Sequence, residues 1–264
     1  MLTGVLGYPV AHSRSPAMHN AAFQALGLED WRYVALPVPG ELFEETVHGL
    51  PASGYRGANV TIPHKLLALA VADEATEAAH GAGAANTLTF RDDGSIHADN
   101  TDVGGLLDAI GQAPGSALVL GAGGAARGVI WALRSAGTDV AVWNRTPERA
   151  DALAAELDVQ AVPTVKPGQH DAVINTTAVG LDTTLSDASA LAALCLEEKD
   201  PPPLVVDLVY RGGGAETPLQ HWAEQGASRF VEGLEILVRQ GARSFEIWTG
   251  HKPPLDVMRR AARS

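Results

Sequence analysis

Cysteine is almost missing from this 264-residue chain. Cys195 stands alone, which excludes an intrachain disulfide and a cysteine-rich metal site, and no metal is expected. Lysine is scarce too: Lys65, Lys166, Lys199 and Lys252 face fifteen arginines. Where arginine supplies most of the positive charge, a lysine inside a motif carries weight, because an ammonium can pass on its proton and a guanidinium in practice cannot. Positive charge is in deficit overall. The formal net charge of −12 speaks against a phosphate backbone as partner, so no nucleic acid is expected. Apolar runs are short; none approaches the roughly 18 residues that span a bilayer, and no membrane partner is expected. Met1-Leu2-Thr3-Gly4 lacks the basic stretch of a secretory signal, which points to a reduced, cytoplasmic setting.

Hydrophobic residues make up 46% of the chain, enough for one large or two modest domains. Short apolar runs alternate with helical patterns, which predicts an α/β fold with mostly parallel sheets. In the first hundred residues, strands are expected at 2–6, 33–36 and 57–60, with a hairpin from 86–90 and 96–98 turning at Asp92-Asp93-Gly94. Helices are expected from Pro16 to Leu26, with Ser15 as N-cap, and from Glu41 to His48. Between about 102 and 235, strands are expected near 117–120, 138–143, 171–174 and 204–208, with polar loops at 182–187 and 200–203. Gly212-Gly213-Gly214 reads as a surface turn. A long helix is expected from Gly233 to Trp248 on the stripe Leu234, Leu237, Val238, Phe245 and Trp248, and a short one after Pro253-Pro254.

The strongest local signal is mid-chain. Ala117-Leu118-Val119-Leu120 reads as a buried strand, Gly121-Ala122-Gly123-Gly124-Ala125-Ala126 follows, and a helix is expected from Arg127 to Ala136. Gly121-x-Gly123-x-x-Ala126 fits the turn that cradles a dinucleotide diphosphate at a helix N-terminus. The next strand ends in Asn144-Arg145-Thr146, with Arg149 close behind. A carboxylate there suits unmodified ribose hydroxyls, whereas a guanidinium pairs with a 2′-phosphate, so NADP is expected rather than NAD. Thr146-Pro147 also makes a good helix start, and the two readings hold together.

Four polar clusters occupy the first hundred residues: Ser13-Arg14-Ser15-Pro16, Asn59 to Lys65, Ala85-Asn86-Thr87 and Asn100-Thr101-Asp102. Each has a structural explanation: Ser15 as a cap, Asn86 in a turn, Asp102 capping a helix from Val103 to Ile110. Their recurrence at strand ends, where open α/β sheets bind ligands, favours a shared site. Hydroxyls of Ser13, Ser15 and Thr61, with Asn86 and Asp102, suit a small polyhydroxy acid. Lys65 and Asp102 suit an acid/base pair: an ammonium gives a proton to oxygen as hydride reaches a ketone carbon. His12, His19 and His64 lie nearby and rank below Lys65.

These motifs in this order resemble the shikimate dehydrogenase family. Asn175-Thr176-Thr177, Asp207-Leu208-Val209-Tyr210 and Leu237-Val238-Arg239-Gln240-Gly241-Ala242 extend the likeness over nearly the whole chain. The resemblance implies NADPH-dependent reversible reduction of 3-dehydroshikimate to shikimate, in aromatic amino acid biosynthesis. It implies Lys65 and Asp102 as the catalytic pair, and Ser13, Ser15, Thr61, Asn86, Tyr210 and Gln240 as further substrate contacts. It assigns Gly121, Ala122, Gly123, Gly124, Ala125, Asn144, Arg145, Thr146, Arg149, Leu208 and Gly233 to NADP, with Glu77 near the cofactor. It also implies two domains: residues 1–101 plus 237–264 for substrate, and a Rossmann-like 102–236 for NADP, in a monomer or homodimer. Ala85 replaces the family's commoner valine, and Thr176-Thr177 its usual Ala-Thr or Ala-Ser. A quinate/shikimate dehydrogenase and a non-catalytic NADP(H) sensor are the rival readings. A methyltransferase using S-adenosylmethionine would leave Arg145 without a phosphate to bind.

Overall fold

Each half of the alternating pattern closes its own sheet. In the computed structural model, which describes residues 1–211 and 215–264, Met1–Gly105 with Leu237–Ser264 makes one compact unit and Leu106–Ile236 the other. The fold is α/β in both. The expected turn Gly212-Gly213-Gly214 lies outside the described residues.

The first unit contains β1 (Leu2–Gly7), β2 (Arg32–Pro37), β3 (Tyr55–Val60), β4 (Glu74–Ala75), β5 (Thr87–Phe90) and β6 (Ile96–Asp99), in the order β2-β1-β3-β5-β6-β4. β1, β2 and β3 pair in parallel, whereas β5 runs antiparallel to both β3 and β6, as the Asp-Asp-Gly turn requires. Its helices begin with α1 (Ser15–Ala25), α2 (Phe43–Gly49), α3 (Lys65–Ala70), α4 (Glu77–Ala82) and α5 (Thr101–Ile110). Leu6, Phe43, Val60, Leu88 and Ile96 fill the core between sheet and helices.

Three local expectations are corrected here. Ser15 does not cap α1: it is the helix's first residue, the N-cap position is Arg14, and Ser13 Oγ accepts the Ser15 N–H at 3.3 Å. Residues 40–42 form a single 3-10 turn, so α2 starts at Phe43 rather than Glu41. Asp102 does not cap the following helix but lies inside its first turn, where a carboxylate complements the helix dipole. The division between the units falls inside α5, after Gly105, whereas residue 101, the expected boundary, begins that helix.

The second unit holds β7 (Ser116–Leu120), β8 (Asp139–Trp143), β9 (Gln160–Ala161), β10 (Ala172–Asn175), β11 (Leu204–Asp207) and β12 (Arg229–Val231). All pair in parallel, in the order β12-β11-β10-β7-β8-β9. The strands read as continuous apolar runs because helices cover both faces of such a sheet. These helices are α6 (Gly124–Ser135), α7 (Pro147–Leu157), α8 (Asp187–Ala193) and α9 (Pro218–Gln225). α6 starts three residues before the expected Arg127, and Asp187, expected in a loop, opens α8 after Ser186 caps it.

α10 (Gly233–Thr249) and α11 (Leu255–Arg263) end the chain. Within the first unit, α11 packs on α1, and Trp248 of α10 donates its indole N–H to Leu88 O at 3.0 Å. Gly57 makes room for that indole: a Cβ there would lie 2.1 Å from Trp248 Nε1 and 2.6 Å from Leu88 O. Gly57→Ala is therefore expected to cost roughly 2–4 kcal/mol, overpacking plus the lost bond, in denaturant unfolding.

Candidate active site

Topology gathers the polar clusters of the first unit on one sheet edge. The loops after β1, β3 and β6 leave from the carboxyl ends of those strands, and antiparallel β5 begins at the same edge. Backbone bonds run along that edge: Thr61 N–H to Leu6 O at 2.9 Å, Val60 N–H to Asn86 O at 2.8 Å, and Asn86 N–H to Asp99 O at 3.0 Å. Ser13 and Ser15 follow β1, Thr61 and Lys65 follow β3, Asn86 precedes β5, and Asp102 follows β6.

Lys65 and Asp102 meet there. Lys65 Nζ lies 2.5 Å from Asp102 Oδ2, with side-chain exposures of 12% and 23%. Partial burial strengthens such a charge-assisted bond relative to water. It is also costly to desolvate two charges, so a half-open pair beside a sheet edge reads more readily as chemistry than as stabilisation. The pair remains reachable from solvent.

Asn86 organises the floor of the site. Its Oδ1 accepts the Thr101 N–H at 2.7 Å, Thr87 Oγ1 at 3.0 Å and Thr101 Oγ1 at 3.1 Å, while its Nδ2 donates to Gln240 Oε1 at 3.2 Å. Gln240 Nε2 in turn donates to Leu237 O at 2.8 Å. Gln240 reaches the site because Gly104 and Gly105 let α10 lie against α5. A Cβ at Gly105 would stand 2.7 Å from the Gln240 nitrogen, and one at Gly104 would strike the Arg243 guanidinium.

Asn59, Tyr33 and Ser244 belong to the same buried network and were not assigned from sequence. Asn59 Nδ2 donates to Thr87 Oγ1 at 3.0 Å and Asn86 O at 3.2 Å, while its Oδ1 accepts Tyr33 OH at 2.8 Å and Ser244 Oγ at 3.3 Å. Signals existed: Asn59 interrupts an apolar strand, and Ser244 follows Gln240 by one helical turn.

The histidines are turned elsewhere. His64 is buried with Nε2 on Val38 O at 2.6 Å and its ring over Phe43. His19 is buried against Tyr33, ring centroids 4.2 Å apart, and desolvation pushes its pKa down to about 3. His12 is exposed.

In the second unit, the strand order changes direction between β7 and β10, the point at which open parallel sheets hold nucleotides beyond their strand ends. Gly121 follows β7 with φ +111°, and a Cβ there would stand 2.6 Å from Thr176 Oγ1. Gly123 is different. Its backbone is extended, a Cβ would meet nothing within 4 Å, and no side chain caps the start of α6. The start of α6 thus has open space beside Gly123 and no side chain on its first-turn N–H groups, as the approach of a diphosphate requires. Beyond β8, Arg145 and Arg149 are exposed and form no ion pair among the described residues. Asn144 Nδ2 closes that turn on Thr146 O at 2.9 Å, and Thr146 occupies the N-cap of α7 without a side-chain bond. Gly233 allows the start of α10 to abut Leu208, whose carbonyl oxygen would lie 2.6 Å from an added Cβ. The donor set fits a dinucleotide carrying a 2′-phosphate.

Among the expected substrate residues, the structure joins Lys65 with Asp102, Asn86 with Gln240, and Ser13 with Ser15. Tyr210 belongs to the second unit, in the segment after β11. Of the expected cofactor residues, Glu77 alone lies in the first unit, exposed at the start of α4, which Thr76 caps. Among the described residues, no group of histidine, cysteine and carboxylate side chains has the arrangement of a metal site, and no helix is long and apolar enough to cross a membrane.

Comparison with known proteins gives three family-model matches. Residues 5–88 match a shikimate dehydrogenase substrate binding domain, 110–210 a shikimate/quinate 5-dehydrogenase model, and 233–263 a shikimate 5′-dehydrogenase C-terminal domain. The shikimate dehydrogenase (NADP(+)) of Methanocella arvoryzae is 43% identical over 98% of this chain and 97% of its own. One from Thermus thermophilus is 43% identical over 98% and 96%. Among solved structures, a shikimate 5-dehydrogenase from Thermus thermophilus in complex with NADP(H) and shikimate superposes with a TM-score of 0.86, at 40% identity over 100% of this chain and 98% of that one.

The two glycines of the turn should separate in stability measurements. Gly121→Ala meets both strain at positive φ and Thr176, and a loss of about 1–3 kcal/mol is expected. Gly123→Ala meets no neighbour and should stay within about 0.5 kcal/mol of the parent in denaturant melts.

Proposed function

This chain belongs to the shikimate dehydrogenase family, and on that premise we propose the role of each residue in its reaction, the NADPH-dependent reversible reduction of 3-dehydroshikimate to shikimate. The observation that carries the proposal is the half-buried contact of Lys65 Nζ with Asp102 Oδ2 on the polar edge of the first sheet. Lys65 holds a proton where the substrate carbonyl oxygen is received, and Asp102 keeps that ammonium charged and aimed. Bound NADPH supplies the hydride. Asn86 and Gln240, fixed to each other and to α5, present amide groups to ring hydroxyls. Ser13, Ser15 and Thr61 line the same edge with hydroxyls suited to the carboxylate. In the second unit, the N–H groups from Ala122 to Ala125 receive the diphosphate, and Arg145 with Arg149 pairs with the 2′-phosphate through charge-assisted bonds. Thr146, Leu208 and Gly233 shape the surface on which the cofactor lies. Residues 5–88 match the substrate binding domain and 110–210 the dehydrogenase model, which supports the division of labour between the units. We place the enzyme in the cytoplasm, where its pathway's substrates reside, as a monomer or homodimer.

The rival sensor reading gives Lys65 and Asp102 no task. Lys65→Ala should lower kcat by about 10²–10⁴-fold with little change in KM for shikimate; near-full turnover would remove Lys65 from the mechanism. Arg145→Asp should shrink the NADP-over-NAD ratio of kcat/KM by at least about tenfold. Equal use of both cofactors by the unaltered enzyme would sink the role of Arg145. Shikimate and quinate offered in parallel, with NADPH absorbance as the readout, separate this activity from a quinate/shikimate dehydrogenase; shikimate should dominate.

A further inference from the structure

At the end of β11 lies a carboxylate to which the reaction gives no role. Asp207 is fully buried, yet three donors converge on it. Asn175 Nδ2 reaches its Oδ1 at 2.9 Å, the Val209 N–H reaches the same oxygen at 3.0 Å, and Thr217 Oγ1 reaches Oδ2 at 2.7 Å. Asn175 is itself a hub. Its Oδ1 accepts the Thr177 N–H at 3.0 Å and Thr177 Oγ1 at 2.7 Å, and its Nδ2 also reaches Val179 O at 3.2 Å. The turn so fixed presses on the glycine turn. Thr176 donates both N–H and Oγ1 to Leu120 O, at 2.9 and 2.7 Å, and Thr176 and Thr177 are the side chains that crowd Gly121.

We propose that Asp207 is a positioning residue for the cofactor: its carboxylate clamps the turn after β10 to the turn after β11, and by holding Thr176 and Thr177 against the glycine turn it sets the affinity for NADP(H). This rests on the reading that the second unit binds that cofactor. A structural carboxylate with no such role would have no reason to be joined to the loop at the switch point of the sheet through a side chain that also builds that loop.

The ionised form is the one that works. A carboxylate accepts from all three donors, whereas a protonated acid has to turn its own O–H toward Thr217 Oγ1, which reverses that bond and removes the charge that strengthens the bonds from Asn175 and Val209. Burial pushes the Asp207 pKa up to about 6 against the pull of its three hydrogen bonds and of Arg211. Arg211 is the charged side chain whose field reaches it; its own N–H groups are bound to Gly180 O and Glu216 O. The clamp therefore loosens as pH falls from about 7 to 5 and is fully formed above that window.

The test is NADP⁺ binding to the full chain, followed by calorimetry from pH 8 to pH 5. Asp207→Asn keeps the shape and removes the charge. At pH 8 its Kd should exceed the parent's by about tenfold, the scale of one charge-assisted bond, and the two should converge near pH 5. The 2′-phosphate of the ligand titrates in the same range, but equally for both proteins, so the ratio isolates Asp207. Asn175→Ala, which cuts the link between the turns, should weaken binding likewise. Thr217→Val, which removes the bond to Asp207 Oδ2 and the cap on the Gln220 N–H of α9 but leaves the link between the two turns, should lower the melting temperature and leave Kd within about twofold. Shikimate Kd should not move in any of them. A parent-like Kd across the pH range for Asp207→Asn, or for Asn175→Ala if the first does not fold, overturns the clamp. A parent protein that fails to bind NADP⁺ at all overturns the cofactor reading itself, and the clamp with it.

Discussion

The side chain of Asn86 has almost no freedom. Its oxygen is shared among the first turn of α5 and the hydroxyls of Thr87 and Thr101, and its nitrogen is bound to Gln240 of α10. A shift of β5, α5 or α10 would strand a buried amide, at a cost of about 1–3 kcal/mol for each unmade bond. Because Asp102 sits in the turn that Asn86 holds, the placement of the carboxylate beside Lys65 follows from the same contacts. The pair proposed to react is thus positioned by a neighbour that need not react.

That arrangement also accounts for the choice of lysine. His64 adjoins Lys65 in sequence, but its ring is folded into the core on Val38 O, and His19 is sealed among aromatic rings where its charged form is strongly disfavoured. At this edge the ammonium of Lys65 is held, partly buried, against a carboxylate. In a chain that otherwise prefers arginine, one of its four lysines falls at the place where the proposed reaction has a proton to move.

Much of this was legible in the sequence, and the reasons differ by element. Gly121 and Gly123, the apolar strands of the second sheet and Asn144-Arg145-Thr146 announce themselves because local backbone chemistry dictates them. The polar clusters were visible, and their recurrence at strand ends pointed to one shared site, but the contacts that join them were not. Only the antiparallel turn of β5 brings Asn86 to the edge where Thr61 and Asp102 already lie. Ser15 misled because a serine before Pro16 looks like a cap, whereas the helix already starts at Ser15, has no side-chain cap, and Ser13 Oγ accepts the Ser15 N–H. Strands β4 and β9, two residues each, and β12, three residues, carry too few positions for any periodicity to register. Asn59 and Ser244, 185 positions apart, meet only after α10 has docked, so no window of sequence contains both.

Asn86 and Gln240 are separated by 154 positions, and the whole second unit is encoded between them. On the ribosome this imposes an order. The inserted unit leaves the exit tunnel as one uninterrupted stretch and has every strand of its sheet before the last helices are made. The host unit does not: until α10 and α11 emerge, Asn86 has no Gln240, Gly57 no indole beside it, and α1 no helix to cover it. The nascent chain therefore carries an unfinished substrate half through most of its synthesis, alongside a nucleotide half already able to close.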